Sequence, residues 1–259
     1  VHVLSEKPAA ISPNQLKKLR EAEKRSVAQY GVCFQNRYNP CVQAAKERME
    51  SGTTGKLLAA RAFVTWNRQP PYYTESGWRG TLRQEGGGVL TNQAIHTLDL
   101  MRYFGGEIAA ISGQITNQHL RGVIEVEDTA CVLLQYASGA AGIFYATTAY
   151  RQNAPVLLEL VCEQETLRLE GSNLYRLEGN RFTLLCGEEE RMPGKPYWGS
   201  GHARLIDAFY RSLLPGGEAF PIGAQEGGRA SELLFSLYMQ NGIDYEAIQL
   251  NETIDIQAN

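Results

Sequence analysis

The chain has 259 residues, of which 43% are hydrophobic and 20% charged, with a formal net charge of −3. That is the balance of a globular protein with room for a large core, and it offers no basic surface for nucleic acid. Mean hydropathy is −0.30, no apolar stretch approaches the ~18 residues of a membrane span, and the N-terminus does not read as a signal peptide. Cys33, Cys41, Cys131, Cys162 and Cys186 are scattered and never form a C-x-x-C pair. A disulfide framework and structural zinc are therefore not expected, no metal site is assigned, and a reducing cytoplasm is the plain reading.

The first element is an apolar run, Val1 to Leu4, expected to be a buried strand. Ser12 and Pro13 then read as cap and first residue of a helix running to about Glu23. Val27 to Phe34 is a second strand, and strand, helix, strand is the rhythm of a parallel α/β sheet. After Asn39-Pro40 a helix is expected from Cys41 to Glu50, followed by a half-buried strand over Lys56 to Asn67. A long helix is expected from about Val89 to Phe104, closed by Gly105-Gly106. Strands follow at Ile108 to Thr116, Thr129 to Tyr136, Ala141 to Thr148, Val156 to Cys162, Thr166 to Glu170 and Phe182 to Cys186, separated by turn signals such as Ser138-Gly139. Helices at Gly201 to Leu214 and Gln225 to Asn241, and a strand over Glu252 to Ile256, complete the pattern. The fold class is α+β: a large, mostly antiparallel open sheet with helices on one face, preceded by a short α/β segment.

Three segments carry polar chemistry. In Val89-Leu90-Thr91-Asn92-Gln93-Ala94-Ile95-His96-Thr97-Leu98-Asp99, helical spacing brings Asn92, His96 and Asp99 near one face. Read locally, this is equally a core histidine satisfied by Asn92, with Asp99 capping a neighbour. The Gly86-Gly87-Gly88 run before it allows close approach of a ligand or another backbone. Glu6-Lys7-Pro8 directly follows a strand, where open α/β sheets bind ligands. Desolvation there would lower the pKa of Lys7 toward neutrality, although such a lysine also reads as a solvated loop residue. Trp78-Arg79-Gly80, behind Pro70-Pro71-Tyr72-Tyr73, suits stacking on a flat ring or holding phosphate or hydroxyls, or else anchors a surface loop. Tyr197 to His202 is a similar cluster. Gly52 to Lys56 is too short for a P-loop, and Gly199 to Arg204 is not a dinucleotide fingerprint, because arginine stands at the third glycine position and no strand precedes it.

As an ordered set these segments resemble the glucose-fructose oxidoreductase / inositol dehydrogenase / rhizopine catabolism family, Gfo/Idh/MocA. The resemblance rests on Glu6-Lys7-Pro8, Phe34 to Pro40, Trp78-Arg79-Gly80, the glycine run and Asn92 to Asp99, and spans essentially the whole chain. It implies residues 1–38 as the C-terminal part of a Rossmann-type dinucleotide-binding domain, and 39–259 as a substrate-binding and oligomerisation domain. The glycine-rich turn would lie upstream of this chain, which alone would then bind little NAD(P)H and be inactive. The implied activity is hydride transfer between NAD or NADP and a hydroxyl or keto carbon of a sugar, polyol or sugar nucleotide. Lys7, His96 and Asn92 would be catalytic. Glu6, Lys7, Asn36, Trp78, Arg79 and Tyr197 would touch the cofactor, and Tyr73, Asp99 and His202 the substrate. Many members carry aspartate where this chain has Asn92, which can orient the imidazole but brings no charge, so weight shifts to Lys7. One face of the large sheet has no obvious helices to cover it, so a homodimer or homotetramer through that face is expected. The other readings are a non-catalytic binding or oligomerisation module and an NAD-dependent glycosidase of the same superfamily.

Overall fold

The computed structural model describes residues 1–187, 200–245 and 247. Two short strands, β1 (Val3–Ser5) and β2 (Tyr30–Val32), pair in parallel across helix α1 (Pro13–Arg25). Ser12 caps α1, its Oγ accepting from Gln15 N, with Pro13 in the first turn as the sequence predicts. The opening strand is not buried as expected: Val3 is 45% exposed, because β1 has no neighbour on its other edge among the described residues. β2 is firmer, since the Val32 amide donates to Ile222 O and the Cys33 amide to Ser5 O.

A 3₁₀ turn (Gln35–Tyr38) leads into α2 (Pro40–Glu50) and β3 (Leu57–Thr65). Two short helices, α3 (Pro70–Thr74) and α4 (Leu82–Glu85), lie in the loop that follows. A π-helical turn (Leu90–Ala94) then runs into α5 (Ile95–Gly105). The remaining strands are β4 (Ile108–Thr116), β5 (Thr129–Tyr136), β6 (Ala141–Thr147), β7 (Leu157–Cys162), β8 (Thr166–Glu170), β9 (Asn173–Glu178) and β10 (Arg181–Gly187), followed by α6 (Gly201–Ser212), α7 (Ala224–Gly227) and α8 (Arg229–Gln240). Strand β9 is missed by the sequence, from which no strand is expected between Glu170 and Phe182. The helix expected over 225–241 is interrupted at Gly228, the second of two glycines. The strand expected over 252–256 lies outside the described residues.

β3 to β10 form an eight-stranded sheet in the order β10-β9-β8-β7-β3-β6-β5-β4, antiparallel throughout except for β3 and β6. One face packs on helices. Ala60, Ala62 and Val64 of β3, Val132, Leu134 and Tyr136 of β5 and Phe144 of β6 share a core with Ile95, Leu98 and Met101 of α5 and Leu234 and Leu237 of α8. Full burial of each large aliphatic side chain contributes about 1.5–3 kcal/mol. The other face leaves paired Leu133 and Ile143 exposed, at 58% and 48%.

The entry to the π turn is fixed by Glu127. Its carboxylate accepts from Gly88 N at 2.9 Å, Leu90 N at 3.0 Å and Tyr238 Oη at 2.8 Å, and its own carbonyl accepts from Val89 N. A Cβ on Gly88 would lie 1.8 Å from that carbonyl, so the close approach that the glycine run permits here is to protein backbone. Glu127→Ala leaves buried donors unmet and is expected to destabilise the fold by roughly 3 kcal/mol, read as a shift in urea midpoint at unchanged slope. A loss under about 1 kcal/mol would refute the capping role.

Candidate active site

One polar cavity of ≈ 310 Å³ lies where the end of β1, the 3₁₀ turn, the π turn and the start of α6 meet. Its wall includes Glu6, Lys7, Asn36, Arg79, Asn92, His96 and His202 from the sequence reading. Lys7 stands two residues past β1, and its Nζ donates to the main-chain oxygen of Asn92 at 2.7 Å. The sequence reading had Asn92 orient the imidazole of His96; its amide instead donates to the carboxylate of Glu85, a stronger acceptor for being charged. His96 is half-buried and meets Phe34 edge-on, ring centroids 5.7 Å apart. Its Nδ1 is enclosed without a hydrogen-bond partner among the described residues.

The charges are set by burial and by each other. Desolvation lowers the pKa of Lys7 from the ordinary ammonium value, while Glu6, Glu85 and Cys33 pull it back up. His96 is held well below the usual imidazole range by burial first, then by Lys7 and His202, so its ring is neutral at pH 7. Burial pushes the Cys33 thiol up to about 11, which keeps it protonated beside them.

Around the mouth, cations and aromatic rings alternate. The Arg68 guanidinium lies 5.1 Å from the Trp66 ring centroid and 5.2 Å from that of Tyr72; Arg79 lies 4.5 Å from Tyr72 and 4.7 Å from Trp78. Trp66, Arg68 and Tyr72 line the cavity although the sequence reading did not select them. Tyr72 and Tyr73 are adjacent on the one-turn helix α3, so they point about 100° apart. Tyr72 takes the cavity, and Tyr73 is buried with Leu120, Ile124 and Val126. Tyr73 therefore does not line the cavity. Trp78 is 42% exposed and backs Arg79 from outside the wall. Asp99 is also absent from it: its carboxylate is 1% exposed and pairs with Arg37, at 2.5 Å from Nη2 and 2.7 Å from Nε. The reason is helical phase, since Asp99 is three residues past His96 and faces the 3₁₀ turn. His202 reaches the cavity because Gly201 packs flush on the turn, where a Cβ would lie 2.0 Å from Gln35 O. Tyr197 lies outside the described residues.

The wall fits a polar guest. Asn36 Oδ1, Arg79 Nε and Gln93 Oε1 are buried without hydrogen-bond partners among the described residues, and buried polar atoms are ordinarily satisfied.

Comparison with known proteins agrees with this architecture. Residues 42–168 match the model of the GFO/IDH/MocA C-terminal domain. Levoglucosan dehydrogenase of Pseudarthrobacter phenanthrenivorans is 23% identical over 85% of this chain and 67% of its own length. The scyllo-inositol 2-dehydrogenase (NAD(+)) of Bacillus subtilis is 25% identical over 71% of this chain and 54% of its own. Thus the chain spans about two thirds of one relative and half of the other. Among solved structures, the WlbA dehydrogenase of Bordetella pertussis, in complex with NADH and UDP-GlcNAcA, superposes with a TM-score of 0.77 at 28% identity, covering 93% of this chain and 71% of that one. Lys7 of the Glu-Lys-Pro segment and His96 of α5 line one cavity. Residues 42–168 of the chain carry the GFO/IDH/MocA C-terminal domain.

Proposed function

We propose that the protein is an NAD(P)-dependent oxidoreductase that moves a hydride between the nicotinamide and a hydroxyl-bearing or keto carbon of a sugar, polyol or sugar nucleotide. The observation that carries this is the convergence of Lys7, anchored on Asn92 O, and a neutral His96 on one cavity wall that also holds unmet hydrogen-bonding atoms. The names of the relatives support the substrate class, and the WlbA complex supports a nicotinamide cofactor with a sugar nucleotide.

Glu6, Asn36 and Arg79 would hold the nicotinamide half of the cofactor, their unmet atoms Asn36 Oδ1 and Arg79 Nε supplying an acceptor and a donor. When bound, the cofactor accepts or returns the hydride. Lys7 Nζ hydrogen-bonds the substrate oxygen and takes or gives its proton, burial lowering its pKa and so easing loss of the proton. Neutral His96 shares a hydrogen bond with the same oxygen and fixes its direction. The Trp66 and Tyr72 rings offer apolar faces to the C–H side of a sugar. A screen of polyols, sugars and sugar nucleotides, followed by reduced-cofactor absorbance, is expected to find turnover that Lys7→Ala abolishes. Glycoside cleavage without net absorbance change would establish the glycosidase reading instead, and cofactor-independent binding without turnover the module reading.

The proposed division into residues 1–38 and 39–259 is supported by the end of the 3₁₀ turn at Tyr38 and the start of α2 at Pro40. Five free thiols support a reducing cytoplasm; no helix among the described residues is long and apolar enough to cross a membrane. Self-association through the open sheet face is proposed from Leu133 and Ile143, with Phe63 and Tyr145 cross-strand neighbours beside them. Light scattering is expected to give a dimer or tetramer, and Leu133→Lys with Ile143→Lys a monomer. An unchanged mass in the double variant overturns the assignment.

A further inference from the structure

We propose that Glu85 is a positioning residue of the reacting centre: it clamps Asn92, and through it the carbonyl that seats Lys7, and places beside them the negative charge that an amide at position 92 lacks. The proposal rests on Lys7 being the proton-transfer residue.

Glu85 closes α4 and is 5% exposed. One carboxylate oxygen accepts from Gly80 N at 2.5 Å and the other from the Asn92 amide. Asn92 in turn presents its main-chain oxygen to Lys7 Nζ. Glu85 thus joins the Trp78-Arg79-Gly80 loop, the π turn and the end of β1 in one chain of contacts that ends on the ammonium. A carboxylate is buried only where donors and cations meet it; here these are two N–H groups, with Arg79 and Lys7 nearby.

The groups facing Lys7 are Glu6, Glu85, the Cys33 thiol and His96. Glu6 is exposed and its field is screened by solvent. The thiol is held protonated and the imidazole neutral. Glu85 is the buried acid among them: burial raises its carboxyl above the usual carboxylate range, while Gly80 N, the Asn92 amide, Arg79 and Lys7 pull it back down, and in its ionised form its field reaches Lys7 with the least screening. Asn92 carries the geometric half of the role and Glu85 the electrostatic half. A purely architectural Glu85 would hold the Gly80 loop and leave the ammonium's equilibrium alone.

The test is a pH titration of the Lys7 ¹³Cε NMR signal in lysine-labelled protein, without substrate or cofactor, the signal being assigned by its loss in Lys7→Met. Glu85→Gln keeps the shape and removes the charge, and is expected to lower the Lys7 midpoint by about one pH unit. Glu85→Asp is expected to stay within a few tenths of a unit of wild type. Glu85→Gln combined with Asn92→Asp moves the charge to position 92 and is expected to recover at least half of the shift. A folded Glu85→Gln protein with an unmoved Lys7 midpoint overturns the proposal, as does a double variant titrating as low as the single one. If Glu85→Gln does not fold, a folded double variant with a near-wild-type midpoint supports the proposal, and failure of both to fold assigns Glu85 to architecture alone and overturns it. Because the titration needs no turnover, an unchanged kcat in Lys7→Ala would retire the Lys7 role while leaving the measured coupling intact.

Discussion

Lys7→Ala is expected to lower kcat about 10²- to 10⁴-fold while KM changes by less than about tenfold. In the proposed reaction the alcohol proton must leave as the hydride leaves. Among the described residues, Lys7 is the cavity group held on a fixed anchor with its pKa displaced toward neutrality. His96 cannot substitute well, because burial, Lys7 and His202 depress its basicity. His96→Ala is therefore expected to cost less in kcat than Lys7→Ala. The pH dependence follows by sign. Alcohol oxidation needs the neutral amine, so kcat rises with pH through a Lys7 midpoint lying below the ordinary lysine value. Ketone reduction needs the ammonium and falls over the same range. A kcat for Lys7→Ala within threefold of wild type would remove Lys7 from the chemistry.

Arg37→Ala is expected to destabilise the protein by about 3–5 kcal/mol, the cost of leaving a buried charge without its partner. Arg37 sits on the 3₁₀ turn and is buried. It forks onto both oxygens of Asp99 and reaches Glu226 of α7 at 2.8 Å; Arg102 of α5 also pairs with Glu226. The network ties the turn that carries Asn36 to the helix that carries His96. Asp99→Ala should lose stability by a similar amount, read as a denaturant midpoint at unchanged slope. Were Asp99 a substrate contact, the same variant would raise KM and keep its stability. A stable Asp99→Ala protein would refute the ion-pair role.

These two residues mark where reading the sequence succeeds and fails. The place of Lys7 on the cavity wall is legible because the Glu-Lys-Pro motif follows a strand, and that of His96 because it belongs to an ordered set of motifs. Asp99 was misplaced because a helical wheel assigns a face but not what lies opposite it. Arg37, 62 residues earlier, decides that. Glu85 carried no signal of its own: it reads as the residue before a glycine run, and its importance arises from two hydrogen bonds, one of them to Gly80 in the preceding loop. Tyr72 was passed over for its neighbour because a single turn of helix after two prolines gives no periodicity from which to choose between them.

By itself the sequence determined most of the strands, the start of the first helix and the family resemblance. The strands expected at Ile108–Thr116, Thr129–Tyr136 and Thr166–Glu170 between turn signals have the observed bounds. The Ser12-Pro13 cap is equally local. The tertiary structure alone decided which polar atoms meet. It gave the Asn92 amide to Glu85, the Asn92 carbonyl to Lys7 and Asp99 to Arg37. Such pairings depend on which segments fold against one another, and a buried polar group takes the strongest partner within reach wherever in the chain that partner lies.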